Sequence, residues 1–153
     1  MADAVKAGPA PAGVKVVKPD TYMNRSGETV RSFARKAGFD LKDILIVCDD
    51  VNLLFGKMRL REAGGAGGHH GLESVIGEVA SEDFARLRIG VGRADMPKDL
   101  TGFVLERFTD AEEKALAEIV DGAARVCRAW AEEGYQAALN ILSRLQQEVK
   151  KEN

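Results

Sequence analysis

Apolar positions change their spacing several times along the chain, and each change predicts an element. Val14-Lys15-Val16-Val17 is β-branched and stops at Lys18-Pro19. It predicts a short strand, because proline has no amide to continue a ladder. From Ser26, the residues Val30, Phe33, Ala34 and Ala37 recur at helical spacing, and Gly38 is a natural stop. Leu41 to Asp43 reads as a short turn. Ile44-Leu45-Ile46-Val47-Cys48 is continuously apolar, so it predicts a strand buried on both faces and ended by Asp49-Asp50.

Gly56 to Arg61 alternates, with Met58 and Leu60 on one face and Lys57, Arg59 and Arg61 on the other, which predicts a half-buried strand. Gly64 to Gly71 is a glycine-rich loop. Leu72, Val75, Ile76 and Val79 predict a short amphipathic helix. Leu87, Ile89 and Val91 alternate into a further strand ending at Gly92, and Met96 to Gly102 is a connector. Thr109-Asp110-Ala111-Glu112 has capping-box spacing ahead of a long helix. The inner face of that helix is Leu116, Ile119, Val120, Ala123, Val126, Cys127 and Trp130. Gly134 stops it, Tyr135 to Leu145 forms a last helix, and the polar tail Gln146 to Asn153 frays.

Strands alternating with helices predict a three-layer α/β fold with a mixed, largely parallel twisted sheet flanked by helices. Met1 to Gly13 is a flexible Ala/Gly/Pro-rich leader, 14–145 is the domain and 146–153 is a polar tail. Composition leaves this picture intact. Hydrophobic residues at 45% and charged residues at 30% argue against general disorder. With 22 basic against 24 acidic residues, a globally basic nucleic-acid coat is excluded. A local basic stripe is not, because binding responds to the field at one face. Cys48 and Cys127 have neither disulfide-framework nor metal-type spacing, which fits a reduced cytoplasmic setting. No apolar run reaches membrane-spanning length, and the first residues hold no apolar signal core.

Four features carry candidate chemistry. Gly64-Gly65-Ala66-Gly67-Gly68-His69-His70-Gly71 can turn backbone amides and a helix start toward an anion or carbonyl oxygen. No Gly-Lys-Ser/Thr follows, so it is not a P-loop, and a merely flexible turn is the alternative. Asp49 and Asp50 face opposite ways in extended chain, so one points toward a site and the other caps or is solvated. A plain turn cap is equally open. His69 and His70 are the chain's only histidines and have no carboxylate or cysteine at ligand spacing, so no metal is expected. Lys57, Arg59 and Arg61 can meet successive phosphates or simply form a solvated face.

Taken in order, these segments resemble one family. Lys18-Pro19-Asp20-Thr21-Tyr22-Met23-Asn24-Arg25-Ser26-Gly27-Glu28 is similar to the "KPxTYMNxSGE" segment of bacterial peptidyl-tRNA hydrolases. Cys48-Asp49-Asp50-Val51-Asn52-Leu53 resembles their "HDDLDL". Gly56-Lys57-Met58-Arg59-Leu60-Arg61 with Gly65 to Leu72 resembles "GKxRLR…GxAGGHNGL". Leu87 to Arg93 resembles "RIGIGR", and Phe103-Val104-Leu105 with Phe108 resembles "YVLxxF".

The resemblance implies hydrolysis of the ester joining a peptide to the 3′ ribose of tRNA. It implies no metal or other cofactor, a cytoplasmic monomer, and peptidyl-tRNA held by its acceptor stem and 3′ end as partner. It gives Asp49 the role of orienting a histidine base. Tyr22 and Asn24, with Met23 beside them, take tRNA-end or peptide contacts. Gly68, His69 and His70 join the same contact set, and Lys57, Arg59 and Arg61 lie near the acceptor-stem path.

Two departures follow. The family begins with a strand and loop, "GLGNPG…TRHNVG", that carries the catalytic histidine, and Met1 to Gly13 holds nothing like it. The fold is therefore expected to lack the family's first central strand, leaving an open apolar sheet edge, low solubility and marginal stability. A misplaced start or a fragment is the leading explanation. It stands ahead of a relative that binds RNA without cleaving it, and ahead of His70 as a replacement base. The second departure is His70 itself, which stands where the family has an asparagine and lacks the amide's donor–acceptor pair.

Overall fold

The computed structural model describes residues 12–151, with side chains through residue 148. Most of the expected leader thus lies outside the described residues. The chain groups into two compact units, one of residues up to Leu45 with Arg61–Ala85, the other of Ile46–Leu60 with Arg86 onward.

In the first unit a tight helical turn, Met23–Arg25, leads into α1, Ser26–Ala37. Gly38 closes α1 in the left-handed region at φ 68°, the conformation a helix stop requires. A capped turn, Leu41–Asp43, precedes the sheet. The unit also holds α2, His70–Val79. α1 and α2 run side by side in the same direction: Gly27 lies at Ser74 and Arg31 pairs with Glu78 at 3.0 Å, one helical turn further along each. The expected strand at Val14–Val17 does not form. Only Lys18 makes an isolated bridge, and Val16 stays 54% exposed. Strand propensity needs a partner and a covered face, and this run has neither a ladder nor full burial.

The sheet has three strands among the described residues: β1, Leu45–Leu54, β2, Met58–Arg61, and β3, Ala85–Gly92, in the order β1-β3-β2. It is mixed. The Ala85 N–H donates to Ile44 C=O, setting the starts of β1 and β3 together. The Gly90 N–H donates to Lys57 C=O, setting the start of β2 beside the far end of β3. Gly90 and Gly92 permit this closeness, since a Cβ at either would collide with the carbonyls of Leu54 or Val51.

Two expectations for these strands are corrected. β1 does not end at Asp49-Asp50 but continues to Leu54, and it is not buried on both faces, as Val47 is 49% exposed. It lies at the edge of the described sheet. β3 is the covered strand, with Ala85, Arg86, Leu87 and Arg88 all buried.

In the second unit α3, Leu100–Val104, occupies the expected connector, followed by α4, Asp110–Glu133, and α5, Tyr135–Lys151. The capping box at Thr109 forms as expected, with the Glu112 N–H donating to Thr109 Oγ1 and the Thr109 N–H to Glu112. Ala123, Val126 and Ala129 are the buried face of α4, whereas Val120 is 61% exposed and does not belong to it. α5 runs past Leu145 to Lys151. Gln146 is no frayed tail, because its side-chain amide donates to Met58 C=O at 2.8 Å. Among the described residues no helix is long and apolar enough to cross a membrane.

Candidate active site

The first unit holds the Tyr22-Met23-Asn24 turn against the start of α2. The Arg25 N–H donates to Tyr22 C=O and the Ser26 hydroxyl to Met23 C=O, closing the turn. The Gly27 N–H donates to Ser74 Oγ at 3.0 Å, and a Cβ on Gly27 would collide with the Ser74 carbonyl. Glycine here lets the two helix starts touch through backbone. One turn earlier the same ladder puts Met23 over Gly71, where a Cβ would stand 2.6 Å from Met23 Sδ. Tyr22 is 80% exposed, and Asn24 is exposed beside it. A polar amide and a phenol are thus presented to solvent on a turn whose backbone is fixed.

The glycine loop ends two residues earlier than the sequence suggests, because α2 begins at His70. Gly64, Gly67 and Gly68 take positive φ, which accounts for glycine at those positions. The His69 N–H donates to Ala66 C=O, and the His69 ring caps α2, with Nδ1 accepting from the Leu72 N–H at 3.2 Å. In that state the ring proton sits on Nε2. His70 differs: its exposed ring lies 3.0 Å from the Glu73 carboxylate on the helix surface. Adjacent in sequence, the two histidines do separate jobs. Among the described residues no group of three or more metal-binding side chains gathers.

The second unit carries the paired aspartates. They do face opposite ways, and Asp50 is the buried one. Its Oδ1 accepts from the Asn52 N–H at 2.9 Å, and its Oδ2 lies 3.4 Å from Arg88 on β3. A buried carboxylate needs such partners, and they explain how the strand runs on through it. Asp49 is half-buried on the other face. Beside it, burial pushes the Cys48 thiol up to about 11, so Cys48 is no nucleophile at neutral pH. Lys57 and Arg59 are exposed, as is Arg61 on the same strand.

Tyr22, Met23, Asn24, Gly68, His69, His70 and Arg61 therefore fall in the first unit, and Asp49, Lys57 and Arg59 in the second. Met23 and His69 meet around Gly71. Sequence reasoning missed Ser74, which receives Gly27, and the Asp50–Arg88 pair. For the latter, the two residues stand 38 apart in the chain, so no local spacing marks the pair.

The family profile described as Peptidyl-tRNA hydrolase matches residues 3–152. The chain is 42% identical to the peptidyl-tRNA hydrolase of Desulfitobacterium hafniense, over 86% of this chain and 71% of that protein. It is 42% identical to one from a Synechococcus species, over 82% of this chain and 56% of that protein. Among solved structures, a peptidyl-tRNA hydrolase from Acinetobacter baumannii superposes with a TM-score of 0.75 at 31% identity, over 82% of this chain and 64% of that one. The chain thus spans less than two thirds of the length of the last two.

Proposed function

Since the chain belongs to the peptidyl-tRNA hydrolase family, we propose that it takes part in hydrolysing the ester between a peptide and the 3′ end of tRNA. The ester is cleaved by water, which needs a base to remove its proton and donors to steady the oxyanion that forms. We assign Asp49 to orient an imidazole base: an ionised carboxylate accepting one ring N–H fixes the tautomer and favours the imidazolium formed as the water is deprotonated. The resemblance gives the base as a histidine of the family's opening loop; Met1 to Gly13 contains no histidine.

Asn24 and Tyr22 contact the tRNA end or the peptide, with Met23 packed beside them. Gly68, His69 and His70 line the same contact set, and His70 gives a single ring donor where the family has an amide. Lys57, Arg59 and Arg61 meet acceptor-stem phosphates, which positions the RNA without reading its sequence. The reading uses no metal or cofactor and takes the working protein to be a cytoplasmic monomer.

The observation that supports this most is the seat made by Met23, Gly71 and His69. It fixes the backbone of the exposed Tyr-Met-Asn turn against the glycine loop, and a rigid scaffold under exposed polar groups is what substrate positioning needs. The test is binding of an acceptor-stem RNA ending in an N-acetylated aminoacyl ester. Binding should fall with rising salt and weaken when Lys57, Arg59 and Arg61 are neutralised together. Absence of binding at low salt contradicts the reading.

A further inference from the structure

Resting on the hydrolase reading above, we propose that Ser74 is a positioning residue for the ester-bearing end of the substrate: its hydroxyl caps α1 from the neighbouring helix and so fixes where Tyr22 and Asn24 stand. Ser74 need not touch the substrate. It acts through the turn that α1 carries.

α1 starts without a side-chain cap of its own. Its N-cap position is Arg25, whose guanidinium has donors only and so accepts nothing from an orphan amide. That side chain goes instead to Glu28, with Nε at 2.7 Å and Nη2 at 2.9 Å from the two carboxylate oxygens. The Ser26 hydroxyl donates backward to Met23 C=O at 2.8 Å. Gly27 is the second residue of the helix, and its amide is one that a cap side chain ordinarily receives. Ser74 of α2, 47 residues on, takes that role: its half-buried Oγ accepts from the Gly27 N–H at 3.0 Å.

This bond stands in the middle of the ladder between α1 and α2. One turn before it, Met23 Sδ lies over Gly71, where a Cβ would be 2.6 Å away. One turn after it, Arg31 pairs with Glu78 at 3.0 Å. Both outer steps can give. A thioether side chain is flexible, and the Arg31 side chain is 53% exposed, as in surface pairs that hold geometry weakly. The middle step has little slack. Gly27 is buried, and a Cβ there would collide with the Ser74 carbonyl, so backbone meets backbone. Serine's single χ1 torsion leaves its oxygen few places to stand.

The position set at Gly27 passes to the turn before it. The Arg25 N–H donates to Tyr22 C=O at 2.9 Å, and the Met23–Arg25 turn runs directly into α1 at Ser26. Tyr22 and Asn24 are the exposed polar side chains of that turn. Removing the Ser74 oxygen strips a buried amide of its acceptor, which is costly. The start of α1 relieves that cost by moving toward water, and it carries Asn24 and Tyr22 with it. A small displacement of positioning groups is enough to weaken what they hold.

The experiment measures affinity of the whole chain, at one fixed salt concentration, for two RNAs. One is an acceptor-stem duplex whose 3′ end carries an N-acetylated aminoacyl ester; the other is the same duplex without that 3′ end. Wild type should hold the first more tightly. Ser74→Ala removes the acceptor while improving helix propensity, so the fold is kept. It should cut the preference about fivefold, the scale of one neutral hydrogen bond. Its affinity for the bare duplex should equal that of wild type, which a general loss of structure would not allow. Ser74→Thr keeps the hydroxyl and should keep most of the preference. In a Tyr22→Ala, Asn24→Ala background, Ser74→Ala should cost almost nothing more, because the groups it positions are gone. Four results each overturn the inference and leave the hydrolase reading in place: wild-type preference in Ser74→Ala, equal weakening toward both RNAs, Ser74→Thr falling as far as Ser74→Ala, or a full further loss in the doubly substituted background. A wild type with no preference for the ester-bearing RNA overturns the functional reading and this inference with it.

Discussion

Met23 Sδ lies where a side chain on Gly71 would have to go: a Cβ there would be 2.6 Å from the sulfur and 2.8 Å from the His69 ring. The sulfur can swing aside, but the ring is tied to the Leu72 amide. Gly71→Ala should therefore lower stability by about 1–2 kcal/mol despite alanine's better helix propensity, the cost of overpacking. Gly77 is the control. It lies in the same helix with nothing within 4 Å of a Cβ, so Gly77→Ala should raise stability by about 0.5–1 kcal/mol. Urea unfolding of both variants decides it; equal effects would remove the steric account.

Asp50 and Arg88 form a buried pair across β1 and β3, with side chains 5% and 9% exposed. Asp50→Asn keeps the shape and removes the charge that faces Arg88 at 3.4 Å. The expected loss is about 3 kcal/mol, as for a buried pair broken on one side. Adding Arg88→Met should recover part of it. A double variant as unstable as the sum of the two singles would show that the pair is not coupled.

Glu112 joins three structures: it closes the cap of α4 through Thr109, and it meets the Arg93 guanidinium at 3.2 Å, which in turn lies over Phe103 of α3. The Thr109 backbone bond first, and Arg93 second, hold its carboxyl below the usual range. A carboxyl depressed on folding contributes stability that is present above its unfolded value and lost as pH falls through its folded one. Wild type should thus lose stability below about pH 4, and Glu112→Gln should show a shallower loss over the same range. Parallel pH profiles would contradict this.

Val47 is 49% exposed and Leu54 57% exposed on β1, the edge of the described sheet. Such an edge invites pairing with other chains. Val47→Lys should reduce self-association in light scattering and leave the melting transition nearly unchanged. Equal association in both proteins would place the sticky surface elsewhere.

Much of this was legible in the sequence. The helical spacing of Val30, Phe33 and Ala37, the stop at Gly38 and the capping box at Thr109 are local signals, set by residues near in the chain, and they formed as expected. Signals that depend on distant partners misled. Val14–Val17 has strand residues but no ladder, and Ile44–Cys48 has apolar residues but stands at an edge. Arg86 and Arg88 of β3 are charged yet buried, which no local spacing announces. At the candidate site, the glycine loop and the Tyr-Met-Asn turn announced themselves by composition. The cap was hidden, because histidine is an uncommon N-cap and its partner is a backbone amide with no side-chain signature.

The most direct test of the central claim joins the family's histidine-bearing opening strand and loop to this chain and measures peptide release from N-acetyl-aminoacyl-tRNA. The joined protein should release peptide, and Asp49→Asn should slow release by about a hundredfold or more, the scale of general-base assistance. A joined protein that releases nothing, or one in which Asp49→Asn is as fast as its parent, would contradict the account.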